Sequence, residues 1–143
     1  MEPNPEDPMQ VDFSQIQDVT SFVSIPEGTY LCKIAEVREQ VTRDGSARWA
    51  IRLEVVDGEY AGRTAGWDGL NWSERGLPRV KHVLAKLGFE VDGPLELAPN
   101  ELIGRTVRAI FQEEEREDPL TGSRIVRLRV PYMGYEQNGD QPD

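Results

Sequence analysis

With one cysteine and one histidine in 143 residues, the sequence is short of the side chains that most site chemistry uses. Cys32 alone permits no internal disulfide. With His82 as the single imidazole, there are too few ligands for an ordinary zinc centre and little material for a nucleophile–base pair. No glycine-rich phosphate loop is present, and no apolar run is long enough to span a membrane. The acidic run Glu113–Glu115 reads as a solvated hairpin, and His82, between Lys81 and Val83, as a surface or helix-packing residue. The expectation is a protein that is not an enzyme, with no cofactor and no metal. The opening MEPNPEDPMQ is acidic and proline-rich, the opposite of a secretory or mitochondrial leader, so the expected compartment is the cytosol and no membrane partner is expected.

Bases are outnumbered too. Sixteen Lys and Arg face twenty-six Asp and Glu, a net charge of −10. The imbalance sits at the ends. Residues 1–25 carry five acids and no base, and residues 136–143 carry three acids and no base. The stretch 26–135 holds all sixteen bases against eighteen acids, which is only −2. A nearly neutral middle can still present a basic face if the signs segregate across a sheet, although the total charge disfavours tight nonspecific binding to polyanions. The division is therefore an acidic, largely disordered arm (1–25), a single folded domain (26–135) and an acidic disordered tail (136–143). Within the arm, Phe13, Ile16, Val19, Phe22 and Val23 suit a short helix or docking segment equally with loose packing.

The middle reads as strands. From Thr29, Tyr30, Cys32 and Ile34 share one face, and the pattern runs imperfectly to Val41. A long first strand with apolar residues on both faces suits one that bends and serves both sides of a small barrel. Arg43-Asp44-Gly45-Ser46 is a hairpin turn. Trp49, Ile51, Leu53 and Val55 then alternate with Arg48, Ala50, Arg52 and Glu54, the period of a half-buried strand. A loop around Tyr60 returns the chain into a third strand from Arg63 to about Leu70. Pro78 opens a helix whose apolar stripe is Leu77, Val80, Val83, Leu84 and Leu87, and Gly88 stops it. Leu102 and Ile103 are expected beneath the following loop. Val107, Ala109 and Phe111 face inward on a fourth strand, and Val126, Leu128 and Val130 on a fifth, which Pro131 ends. The order is β-β-β-α-β-β. Five short strands with one helix between strands three and four is the arrangement of an OB-fold barrel, whose ligand face usually lies over strands two and three. The rival is an open α+β sheet.

With the apolar faces turned inward, Lys33, Arg48, Arg52, Arg108, Arg127 and Arg129 lie outside, on four different strands. Such a surface can track phosphates; solubility and edge protection would also place charges there. Trp49 is in phase with Ile51 and Leu53 and belongs to the core. Trp67 and Trp72 lie in a glycine-rich stretch open to close approach, and with Tyr60 they are the candidate base-stacking rings. Tyr132 and Tyr135 suit closing packing equally with ligand contact.

These elements resemble a family of phage and prophage proteins that look like single-stranded DNA-binding proteins. The likeness covers about residues 26–135. It is carried by Pro26-Glu27-Gly28-Thr29-Tyr30, Trp49-Ala50-Ile51-Arg52-Leu53, Gly58-Glu59-Tyr60-Ala61-Gly62-Arg63, Leu84-Ala85-Lys86-Leu87-Gly88, Glu101-Leu102-Ile103-Gly104-Arg105-Thr106-Val107 and the hairpin at Thr121-Gly122. The resemblance implies an OB-like fold and binding to single-stranded DNA without strong sequence preference, in replication or recombination and without catalysis. By position it sets Arg48, Arg52, Tyr60, Arg63 and Trp67 near the ligand. Bacterial single-stranded DNA-binding proteins end in an acidic tail with an aromatic last residue that recruits partners. This chain ends Gly139-Asp140-Gln141-Pro142-Asp143, which puts recruitment of replication or recombination proteins through that tail in doubt. Acidic ends can instead compete with DNA for the basic face. The alternative is a protein-interaction module on the same fold, without nucleic-acid binding, in which Glu36, Glu54 and Glu114 locally pair the outer arginines. An enzyme comes third. Oligomeric state is open, a homo-oligomer included.

Overall fold

The computed structural model describes residues 19–137 together with positions 8, 10 and 12. Phe13 and Ile16 of the expected docking segment lie outside the described residues, as do residues 138–143 of the tail. The chain is mainly β. Its elements are β1 (Val19–Ser21), β2 (Gly28–Val41), β3 (Ala47–Val55), β4 (Thr64–Asn71), α1 (Leu77–Lys86), β5 (Thr106–Glu117), β6 (Arg124–Arg129) and β7 (Tyr135–Gln137), with one 3-10 turn at Pro99–Glu101. β2 to β6 and α1 follow the expected order, and the helix stands between the third and fourth of those five strands. Folded structure also extends past the 26–135 boundaries at both ends. β1 pairs in parallel with β6, and β7 pairs with β5. Each is three residues long, too short to leave a periodic signal.

The strands form one sheet in the order β1-β6-β5-β2-β3-β4, with β7 beside β5. Six strands pair antiparallel; β1 is the parallel addition. β5 is shared. Its first half pairs with β2 and β7, and its second half, from Gln112, pairs with β6. The sheet curls until β4 meets β6: a Cβ built on Gly66 would lie 3.2 Å from the Leu128 carbonyl oxygen. No ladder joins these two strands among the described residues, so hydrogen bonding does not close the sheet.

The alternating residues enclose the core. Ile34, Ile51, Leu53, Val107, Ala109 and Phe111 are all within 1 % of full burial. Trp49 joins them, as its phase predicts. So does Cys32, whose burial pushes its thiol up to about 12, leaving it inert as a nucleophile at neutral pH. α1 closes one end with Val80, Val83, Leu84 and Leu87. The Ser73 hydroxyl and carbonyl accept from the Gly76 and Leu77 amides and start the helix. Two residues depart from expectation: Leu77 and Ile103 are about half exposed. Leu77 is the first residue of the helix and borders an apolar hollow with Trp72 and Leu95. Leu102 fills the space beneath the loop and turns Ile103 outward.

The feature that shapes the outer surface is a bulge in β2. Ile34 faces Leu53, yet Glu36 faces Arg52, so Ala35 is an extra residue. A bulge reverses the phase of everything after it. Beyond Ala35 the outward residues are Glu36, Arg38 and Gln40, in rows with Arg52, Ala50 and Arg48 of β3 and then Trp67, Gly69 and Asn71 of β4.

Candidate nucleic-acid interface

The Arg38 and Gln40 rows, with Trp67 beside them, form one wall of a groove of about 770 Å³, and the outer face of the β5–β6 hairpin forms the other. The first wall supplies Arg38, Arg48, Trp67 and Gly69; the second supplies Glu114, Arg116, Arg127 and Arg129. Arg79 of α1 and Tyr132, after β6, close one end. Six arginines thus face a space that contains two carboxylates, Asp68 and Glu114.

Both carboxylates are engaged. Glu114 pairs with Arg127 at 3.3 Å and Arg129 at 3.2 Å. Asp68 accepts from Arg79 at 2.8 Å and from the hydroxyl of Tyr135, while its other oxygen accepts from the Gly69 amide at 2.8 Å. Tyr135 is fully buried. Burial first, and the adjacent Asp68 charge second, raise its pKa well above the usual tyrosine value, so the phenol stays protonated and donates. Around Arg79, burial is the largest single influence and works against the charge, but the hydrogen bond and charge of Asp68 together with Tyr135 outweigh it, so its pKa is raised. This Asp68–Arg79–Tyr135 cluster ties β4, α1 and β7 together under the groove.

Arg48 and Arg116 are differently placed. Among the described residues no carboxylate lies within ion-pair distance of either. Arg48 donates to the neutral Gln40 amide at 2.5 Å, and its guanidinium lies across Gly69, where an added Cβ would fall 2.2 Å from the nearest nitrogen. Gly69 is therefore required for Arg48 to lie flat on the groove floor. Gly69→Ala should cost less than about 1 kcal/mol of stability, because the displaced group is the end of a flexible side chain, yet it should swing Arg48 out of the groove. A melting curve beside a DNA-binding isotherm checks this: unchanged affinity would remove Arg48 from the interface.

Of the residues singled out by pattern, the groove collects Arg48, Trp67, Arg127 and Arg129. The other six lie elsewhere. Lys33 pairs with Glu54 at 3.4 Å. Arg52 is held between Glu36 and Glu54, at 3.3 and 3.5 Å, and Thr64. Tyr60 packs edge-on against Tyr30, their centres 6.0 Å apart. Arg63 donates to the Ser24 carbonyl. Trp72 packs edge-on against Trp49 at 4.8 Å and lines an apolar hollow with Leu77 and Leu95. Arg108 lies at the far end of β5, opposite Leu31 and Glu136. The groove residues missed by pattern are Arg38, Arg79 and Arg116, while Tyr132, left open between packing and ligand contact, lines the groove. The three-residue step from buried Ile34 to partly buried Val37 was the available sign of the bulge that turns Arg38 outward. Arg79 stood off the helix stripe, but nothing in the spacing tied it to β4.

Fold and site together define a mainly β protein with an arginine-lined groove across its sheet. The profile described as "Protein of unknown function (DUF669)" matches residues 9–88, more than half of the chain, and the chain belongs to that family. The match takes in β1 to β4 and α1, hence one wall of the groove and Arg79 at its end. No curated protein matches the sequence significantly.

Proposed function

We propose that this chain binds single-stranded DNA with little sequence preference and without catalysis, in phage-type replication or recombination. The observation that carries the reading is the groove, where six arginines and two exposed rings, Trp67 and Tyr132, converge on a space containing two already neutralised carboxylates. Guanidiniums neutralise phosphates, and aromatic faces take unpaired bases of any identity. The resemblance to phage and prophage single-stranded DNA-binding-like proteins supports the same assignment. So does the topology: the strand order β6-β5-β2-β3-β4, with β4 curled against β6, matches the order expected of an OB-like fold, and the second and third of its five strands, β3 and β4, contribute to the groove wall.

The test is a mobility-shift titration with a thymidine oligomer and a matching duplex as competitor. The expected result is saturable binding of the single strand, with the duplex competing poorly. No shift at low salt would overturn the reading.

A second reading, a protein-interaction module, draws support from a specific pattern. Lys33, Arg52, Arg127 and Arg129 are paired with Glu36, Glu54 and Glu114, as an outer face built for solubility or for a protein partner would have them. Arg48 and Arg116 do not follow that pattern, which favours the first reading.

A further inference from the structure

We infer that the base-stacking platform of the groove is the guanidinium of Arg38, held over the Trp67 ring, with the incoming base seated on its outer face. This rests on reading the groove as a single-strand site. The Arg38 guanidinium carbon lies 4.6 Å from the centre of the Trp67 ring, so the indole face a base would use is already covered. Arg38 is fixed there from the side. Its Nε donates to Glu36 at 2.5 Å, and Glu36 is itself held by Arg52 at 3.3 Å. While Arg48 occupies the space over Gly69, the neighbour of Arg38 across the sheet is the small Ala50, and the Arg38 side chain passes over this low point to reach Trp67. Its outer side is open, with 62 % of the side chain exposed.

A guanidinium is planar, delocalised and weakly hydrated, and it stacks on aromatic faces; unpaired bases stack on such planes as they do on aromatic rings. The arrangement is a stack of indole, guanidinium and base. Because Glu36 already balances the Arg38 charge, the contribution of Arg38 is stacking more than phosphate neutralisation.

The experiment compares wild type, Arg38→Lys and Arg38→Ala on a thymidine oligomer and on an abasic oligomer of equal length, across a salt series. Lysine keeps the charge and loses the plane. Both variants should bind the thymidine oligomer roughly tenfold more weakly, within the range for one stacked base. Their salt slopes should change by well under the about 0.7 that a lost single-strand phosphate contact removes. On the abasic oligomer Arg38→Lys and wild type should bind alike. Thymidine affinity equal to or above wild type in either variant would mean that Arg38 merely covers Trp67, and would overturn the inference. Equal losses on both oligomers would put Arg38 at the phosphates, with the same consequence. Failure of wild type to bind either oligomer would overturn the single-strand reading itself.

Discussion

Replacing Arg48 and Arg116 together with glutamate is expected to weaken single-stranded DNA binding at least roughly a hundredfold at low salt. Each arginine would make a hydrogen bond to a charged phosphate oxygen, a contact that contributes about 1.5–3 kcal/mol, and 1.4 kcal/mol is tenfold in affinity. These two are the groove arginines without a carboxylate at ion-pair distance among the described residues, so on the proposed reading neither has to give up a carboxylate to meet a phosphate. The loss should be the same for every base sequence, and the slope of log affinity against log salt should fall by about 1.4, two single-strand contacts' worth. Arg108→Glu is the matching control. It reverses a charge at the far end of β5, so in about 0.1 M salt, where screening acts over about 10 Å, affinity should stay within about twofold. Loss of binding in the control to the same degree as in the double variant would mean that overall charge, and not the groove, governs association.

The second large effect concerns stability. Asp68→Ala should destabilise the fold by about 3 kcal/mol. Asp68 and Arg79 have side chains only 13 % and 15 % exposed, and removing one member of such a pair leaves a poorly solvated charge behind, at a cost of about 3–5 kcal/mol. The lower end applies because Arg79 keeps its bond to the Gly69 carbonyl at 3.1 Å. The Tyr135 hydroxyl and the Gly69 amide lose their acceptor in the same step. For a chain of this size the melting temperature should drop by roughly 6–12 °C, with Asp68→Asn roughly halfway because it keeps one acceptor oxygen. A shift under about 2 °C would show that the cluster does not hold β4, α1 and β7 together.

The strand faces were legible because burial follows alternation strictly in the first half of β5 and, Ala50 apart, in β3. Trp49 and Phe111 could be placed from phase alone. The helix was equally plain, since its stripe and its Pro78 and Gly88 punctuation agree. Alternation says which face a residue occupies and nothing about how the sheet curls. Arg108 and Arg127 therefore looked equivalent on paper, although only Arg127 meets the groove. Arg52 has the right phase, but besides Glu54 on its own strand it meets Glu36, sixteen residues away on β2, and pairing across strands is invisible without the register. Arg38 was hidden for a different reason. One inserted residue at Ala35 inverted the face of everything beyond it. Tyr60 and Trp72 were attractive as rings in open, glycine-rich stretches, yet each finds an aromatic partner distant in sequence, Tyr30 and Trp49.

The most direct test of the groove as a single-strand site is the salt dependence of wild-type binding to a labelled thymidine oligomer, followed by fluorescence anisotropy between about 50 and 200 mM salt. The account predicts saturable binding whose log affinity falls linearly with log salt, with a slope of several times 0.7, one increment for each phosphate held by a groove arginine. Absence of saturation at the lowest salt, or an affinity indifferent to salt, would contradict it and would turn attention to a protein partner for the same surface.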